Sequence, residues 1–205
     1  MASAFARTEP FAVPDREAAG QAPSDETLLQ SIAAGDKHAL KMLFARHNVR
    51  LYRFLLGFVK DESTAEELAN EVFLDVWRKS ARYEGRSQVS TWLLAIGRHK
   101  ALSALRRRPI EQLDEEAAER VEDPTDNPEV TMQTRQRSEI LLTCLTQLPP
   151  AHREIIDLVY YHEKSIEEVA EIICIPRNTV KTRMFYARNR LAKLLDTAGL
   201  DSASA

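Results

Sequence analysis

Residues 165–191 read SIEEVAEIICIPRNTVKTRMFYARNRL, and the fold turns on this stretch. Ser165 stands three residues ahead of Glu168, the spacing of a capping box, in which hydroxyl and carboxylate each accept the other residue's backbone N–H. It opens a short helix whose inward positions are Ile166, Val169, Ala170 and Ile173. Cys174 to Pro176 makes a turn, and Pro176, with no N–H to lose, suits the first turn of a second helix. There Val180, Met184, Ala187 and Leu191 recur at helical spacing as one buried stripe. The opposite face carries Arg177, Asn178, Lys181, Thr182, Phe185 and Arg188. These are charged donors, an amide and an aromatic ring suited to a thymine methyl. The layout is that of a helix-turn-helix, whose second helix enters the major groove.

Working outward, 137–147 and 151–164 are apolar-periodic helices separated by Leu148-Pro149-Pro150. Further upstream the charge pattern changes abruptly. The chain has 28 basic and 31 acidic residues, a net charge of −3 that by itself argues against a nucleic-acid partner. The average conceals two acid-free basic segments: Arg98, Lys100, Arg106, Arg107 and Arg108, then Arg177, Lys181, Arg183, Arg188, Arg190 and Lys193. Between them 111–129 holds nine acids against the single Arg120, with Pro109, Pro124 and Pro128 as breakers. One basic run is commonly a solvated helix face. Two of them flanking an acidic tether point to two DNA-touching modules joined by a flexible linker that avoids phosphates.

The amino-terminal half reads as helices throughout. Ser24 or Asp25 caps a helix carrying Leu28, Leu29 and Ile32, Gly35 and Asp36 break it, and a second helical period continues to Lys60. Ser63 precedes Glu66 by three, which predicts a capping box for the next helix. In that helix Leu68, Val72, Phe73, Val76 and Trp77 face inward. Glu67, Glu71 and Asp75 fall at i, i+4 and i+8 beside Asn70 and make an acidic ridge. Like charges at this spacing repel. With no basic residue from Asp61 to Trp77, the ridge is either a solvated face or the seat of a cationic protein partner. A polar turn at 83–88 follows, and Ser90 or Thr91 opens a helix with an apolar stripe of Trp92, Leu93, Ile96 and Leu102 and a basic end. Trp92 fits core packing or stacking against an unpaired base; aromatics beside cations suit a melted strand.

Composition removes several classes. Six glycines in 205 residues and 44% hydrophobic content disfavour glycine-rich phosphate loops and β-turn-rich folds. The apolar stretch 54–59 is far short of the ~20 residues that span a bilayer, and 1–23 reads as a polar, disordered leader without the apolar run of a signal peptide, so a cytoplasmic chain is expected. Cys144 and Cys174 form no CxxC pair and read as inert buried thiols, with a redox pair as the lesser alternative. The five histidines show no metal-ligand spacing, so neither metal nor cofactor is expected. No nucleophile, base and orienter constellation shows in the sequence, so no enzymatic activity is expected.

The run 65–77 (AEELANEVFLDVW), Thr91-Trp92-Leu93 through Ile96 to Arg98, the run 148–154 (LPPAHRE) and the helix-turn-helix at 165–183 together resemble a bacterial RNA polymerase sigma factor of the extracytoplasmic-function (ECF) group. The resemblance covers about residues 24–195. It implies an all-α chain of two small helical domains: a core-polymerase-binding and minus-ten-melting domain over 24–108, an acidic linker over 109–135, a helix-turn-helix domain over 136–195 that binds the minus-thirty-five element, and a tail over 196–205.

By the same resemblance Glu67, Asn70, Glu71 and Asp75 would meet the β′ coiled coil of core polymerase, with the β subunit as a further contact. Tyr83, Arg86, Ser87, Gln88, Trp92, Arg98, Lys100, Arg106 and Arg107 would open and read the minus-ten element of promoter DNA. Arg177, Asn178, Thr179, Lys181, Thr182, Arg183, Phe185 and Arg188 would read the minus-thirty-five element. An anti-sigma factor is an expected partner, in an alternative factor that answers stress or an external signal. Three residues depart from the family pattern: Cys174 replaces a turn glycine, and His99 and Ser103 replace an asparagine and an aspartate in the minus-ten helix. The rival reading, a helix-turn-helix regulator acting without polymerase, needs only 136–195 and leaves the ridge and the aromatic-basic helix unexplained.

Overall fold

The computed structural model describes residues 22–107 and 128–199, with side chains described from 137 onward in the second segment. Every regular element among them is helical, as the periodicity predicts.

Helix α1 (Asp25–Ala33) starts at Ser24, whose hydroxyl accepts the N–H of Thr27 at 3.2 Å. Helix α2 (Lys37–Val59) starts at Asp36, whose carboxylate accepts from His38 and Ala39, and runs unbroken until Lys60 turns left-handed at φ 56°. Helix α3 (Glu62–Lys79) is capped by Asp61, which accepts the N–H of Thr64 at 2.7 Å. This corrects the expectation of a Ser63 cap: the aspartate two residues earlier brings a negative charge to the positive end of the helix and reaches the same free amides. A 3₁₀ turn (Ser80–Arg82) leads to helix α4 (Val89–Arg107). Ser90 and Thr91 therefore lie inside its first turn and do not open it.

The second domain begins earlier than the charge pattern suggests. Helix α5 spans Pro128–Thr146, so it starts eight residues before the expected start of the domain at 136. Pro128, read in the sequence as a breaker, instead begins a helix, the one helical place where a missing N–H costs nothing. The rest of the acidic linker, 109–127, lies outside the described residues, as does Arg108. Helix α6 (Pro150–Ile156) passes into a π-helical turn (Asp157–Tyr161), so regular structure stops at Tyr161 and not at Lys164. Arg153 ties α6 to the end of α5, donating to the carbonyls of Leu145, Thr146 and Leu148 at 3.1, 2.7 and 3.3 Å. Helices α7 (Ile166–Ile173) and α8 (Arg177–Thr197) complete the helix-turn-helix.

The predicted capping box of α7 is present in both directions. Its buried stripe is Val169, Ile172 and Ile173, with Ile166 and Ala170 only half-buried. Ile172 was the one missed, because eight residues are too few for the period to choose between neighbouring faces. Pro176 stands just before α8 as its N-cap. Val180, Met184 and Ala187 are buried as expected, and Leu191 half so.

Leu29, Leu43, Phe54, Leu55 and Val72 fill the first core; Leu148, Ile155, Leu158, Val169 and Val180 fill the second. Burying each such leucine, isoleucine, valine or phenylalanine favours the fold by roughly 1.5–3 kcal/mol. The two cores merge into one cluster, because α7 packs against α4. Gly97 lets α4 approach α2 closely: a Cβ there would lie 2.9 Å from Leu51 Cδ1 and 3.4 Å from a Leu55 methyl.

Candidate functional site

Three surfaces follow from this packing. On α8, Arg177, Asn178, Lys181, Thr182, Phe185 and Arg188 are all exposed, with Thr179 and Arg183 half-exposed at the margins. The buried stripe clamps the helix by its other side, leaving this face free. Thr182 donates its hydroxyl to the Asn178 carbonyl at 2.9 Å and Arg177 pairs with Glu167 at 3.4 Å, while Phe185 is 60% exposed. Tyr186, 58% exposed, stands edge-on to Phe185 with ring centroids 5.6 Å apart. The sequence reading missed Tyr186, although it follows Thr182 by four and so extends that side of the helix.

On α3, Glu67, Asn70 and Glu71 are exposed and Asp75 is half-buried. The ridge is not uncompensated, which corrects the sequence expectation. Lys100, reaching across from α4, lies 3.0 Å from Glu71 and 3.2 Å from Asp75, and Lys79 lies 3.2 Å from Asp75. Burial pushes the Asp75 carboxyl up, but the hydrogen bonds and charges of the two lysines outweigh it and hold it below its ordinary value. Lys100 answers in kind: burial lowers it, and the two carboxylates more than reverse that. The compensating cation is 29 residues from Glu71 and invisible to a local charge count. Leu74, 52% exposed among these carboxylates, is an apolar member of the ridge that sequence reasoning also missed; its place seven residues after Glu67 was the available signal.

The third surface is the turn before α4 and α4 itself. Tyr83 and Trp92 pack with ring centroids 5.3 Å apart, and the Tyr83 hydroxyl donates to the Ser87 carbonyl, which fixes the turn. Trp92 is half-buried and so serves packing while keeping one side open. Arg86, Gln88, Arg106 and Arg107 are exposed, Arg86 pairing with Glu84 at 2.6 Å. Arg98 is not free: its guanidinium is bound by Glu154 of α6. Beside it Thr91, fully buried, donates to Glu168 at 2.6 Å, and the Lys164 ammonium donates to Ser90 at 2.6 Å and to Gln88 at 3.4 Å. Arg53 donates to the Tyr161 hydroxyl at 2.7 Å on the same seam. The contacts of Gln88, Ser90, Thr91 and Arg98 thus pin the second domain against α4 and the residue just before it, and that of Arg53 ties it to α2.

Cys144 is buried, whereas Cys174 is exposed, which corrects the reading of two buried thiols. Cys174 adopts φ 59°, ψ 47° at the end of α7, the left-handed conformation that glycine takes without cost. Among the described residues no group of acidic, histidine and cysteine side chains could hold a metal, and no helix is long and apolar enough to cross a membrane.

Comparison with known proteins adds the decisive observation. The family model for Sigma-70 region 2 matches residues 43–109, which contain the acidic ridge and α4, and that for Sigma-70 region 4 matches 144–193, which contain the helix-turn-helix. The RNA polymerase sigma factor CarQ of Myxococcus xanthus is 30% identical over 172 residues, 82% of this chain and 96% of its own. The ECF RNA polymerase sigma-E factor of Haemophilus influenzae is 28% identical over 177 residues, 82% of this chain and 93% of its own. The chain belongs to the RNA polymerase sigma factors of the ECF group. As such it is an alternative sigma factor, a DNA-binding protein that directs transcription initiation through core RNA polymerase. The fold agrees: the sigma factor RpoE in complex with the anti-sigma factor NepR from Bartonella quintana superimposes with a TM-score of 0.62 at 24% identity, covering 76% of this chain and 96% of that one.

Proposed function

We propose that this sigma factor divides its work among the three surfaces. The α3 ridge of Glu67, Asn70, Glu71 and Asp75 takes the cationic face of the polymerase β′ coiled coil, with Leu74 as an apolar anchor. The 83–92 turn and α4 capture the minus-ten strand. The exposed face of α8 reads the minus-thirty-five element. The observation that carries this division is the separation of an acidic protein-facing ridge from two basic aromatic-bearing faces, each on its own helix.

The closed arrangement then describes the factor before it engages a promoter. Elements named minus ten and minus thirty-five lie about 25 base pairs apart, roughly 85 Å at ~3.4 Å per step. Two small domains in direct contact cannot span that distance, so they part on the promoter, which frees Arg98 and Gln88 from the second domain. An anti-sigma factor, the partner carried by the RpoE structure, would act by preventing this.

The test is run-off transcription with purified core polymerase on genomic fragments. Products that require the added factor support the reading; output no greater than with core alone, from factor free of bound inhibitor, removes it.

A further inference from the structure

The acidic ridge and the promoter helix are joined through one ammonium group. Lys100 of α4 donates to Glu71 Oε2 at 3.0 Å and lies 3.2 Å from Asp75 Oδ2, its side chain about four-fifths buried against α3. It sits where a cationic partner of the ridge would have to sit. Glu67, two turns from Asp75, is exposed and outside this cluster. We propose that Lys100 is a placeholder on the ridge: an incoming polymerase cation takes over Glu71 and Asp75, and the released ammonium joins Arg106 and Arg107 as a phosphate contact for the melted strand. This rests on the reading of the ridge as the polymerase surface.

Exchange is feasible because one cation replaces another on the same carboxylates, and Glu71, 56% exposed, leaves the cluster open to solvent on one side. Lysine suits the role, its ammonium being a compact charge on a flexible four-carbon stem that can swing without moving α4. The consequence is reciprocal: polymerase and strand each favour the state in which Lys100 has left the ridge, so each strengthens binding of the other.

The first measurement uses the full-length chain without polymerase and a fluorescent oligothymidylate, whose phosphates any freed ammonium would meet. Glu71→Gln with Asp75→Asn releases Lys100; Glu66→Gln with Glu67→Gln removes the same charge from α3 without touching it. The releasing pair should bind about fivefold more tightly than the control pair at ~0.1 M salt, with a log–log salt slope steeper by about 0.7, the counterion yield of one single-strand phosphate contact. Adding Lys100→Gln should abolish that excess and Lys100→Arg should restore it. Equal affinities for the two charge-matched pairs overturn the proposal.

The second measurement is affinity for core polymerase. Lys100→Gln should bind core roughly two- to fivefold more tightly, the range of a partly exposed ion pair, and Lys100→Arg should match the parent. If Glu67→Lys weakens core binding while Lys100→Gln does nothing, the ridge reading stands and the exchange fails. If Glu67→Lys is also without effect, the ridge reading itself fails.

Discussion

Thr91 donates its hydroxyl to Glu168 across 2.6 Å, joining the first turn of α4 to the first turn of α7. The same carboxylate accepts the backbone N–H of Ser165 at 2.9 Å and lies 3.2 Å from the Lys164 ammonium. One side chain therefore starts the helix-turn-helix and closes the two domains on each other. Burial pushes the Glu168 carboxyl up, but the bonds from Thr91 and Ser165 and the charge of Lys164 outweigh it and bring it down from 4.5 to about 2.

The depressed value sets a pH window. Glu168 stabilises the fold fully above its ordinary 4.5, and that contribution is lost as pH falls through about 2. Glu168→Gln keeps the shape and removes the titration. The stability gap between parent and variant in urea unfolding should be widest near neutral pH and narrow progressively below ~4.5. A gap that stays constant between about pH 6 and pH 3 would contradict the assignment.

Closure itself should respond to two other positions. A hydrogen bond to a charged group contributes about 1.5–3 kcal/mol net, so Thr91→Val combined with Glu154→Gln should shift the balance toward parted domains by at least tenfold. Small-angle scattering should show a larger radius of gyration, and oligonucleotide binding at the α4 face should rise. Glu163→Gln, at an exposed pair 3.9 Å from Arg50, serves as the control and should change neither.

Much of this architecture was legible because it rests on local signals. The Ser165–Glu168 capping box, the α8 stripe and the exposed polar face opposite it depend on contacts within four residues or on one helical period. What escaped was set by distant groups. Lys100 cancels the ridge from another helix, and Glu154 and Lys164 occupy Arg98 and Gln88 from another domain. No periodicity within α3 or α4 encodes those partners. The start of α5 at Pro128 was hidden for a different reason: proline permits a first helical turn as readily as it breaks a later one.

Two substitutions, one that adds a Cβ and one that removes it, should act in opposite directions. Gly97→Ala gains up to about 1 kcal/mol of helix propensity, but its methyl meets the buried Leu51 and Leu55, and overpacking of that kind costs roughly 1–3 kcal/mol. The packing loss is larger, so the variant should be less stable by about 1 kcal/mol. Cys174→Gly relieves a left-handed residue, worth roughly 1 kcal/mol less the extra chain entropy of glycine, and should be neutral to stabilising. Thermal unfolding of the two variants decides both signs, and a stabilised Gly97→Ala would mean that Leu51 repacks freely.

The last expectation separates positioning from reading on α8. Lys181, Thr182 and Phe185 are exposed one to two turns in from the start of the helix, where helix-turn-helix proteins meet base edges; Arg190 and Lys193 lie further along, where only phosphates are in reach. Lys181→Ala should relax preference at one or two positions of the upstream element by roughly 1–3 kcal/mol for the lost base contact. Arg190→Ala should weaken all sequences alike and lower the salt slope by about one phosphate contact. Binding of both variants to a library of upstream elements at two salt concentrations distinguishes them. If Lys181→Ala shifts every sequence equally, Lys181 holds the backbone, and reading falls to Thr182, Phe185 and the neighbouring Tyr186.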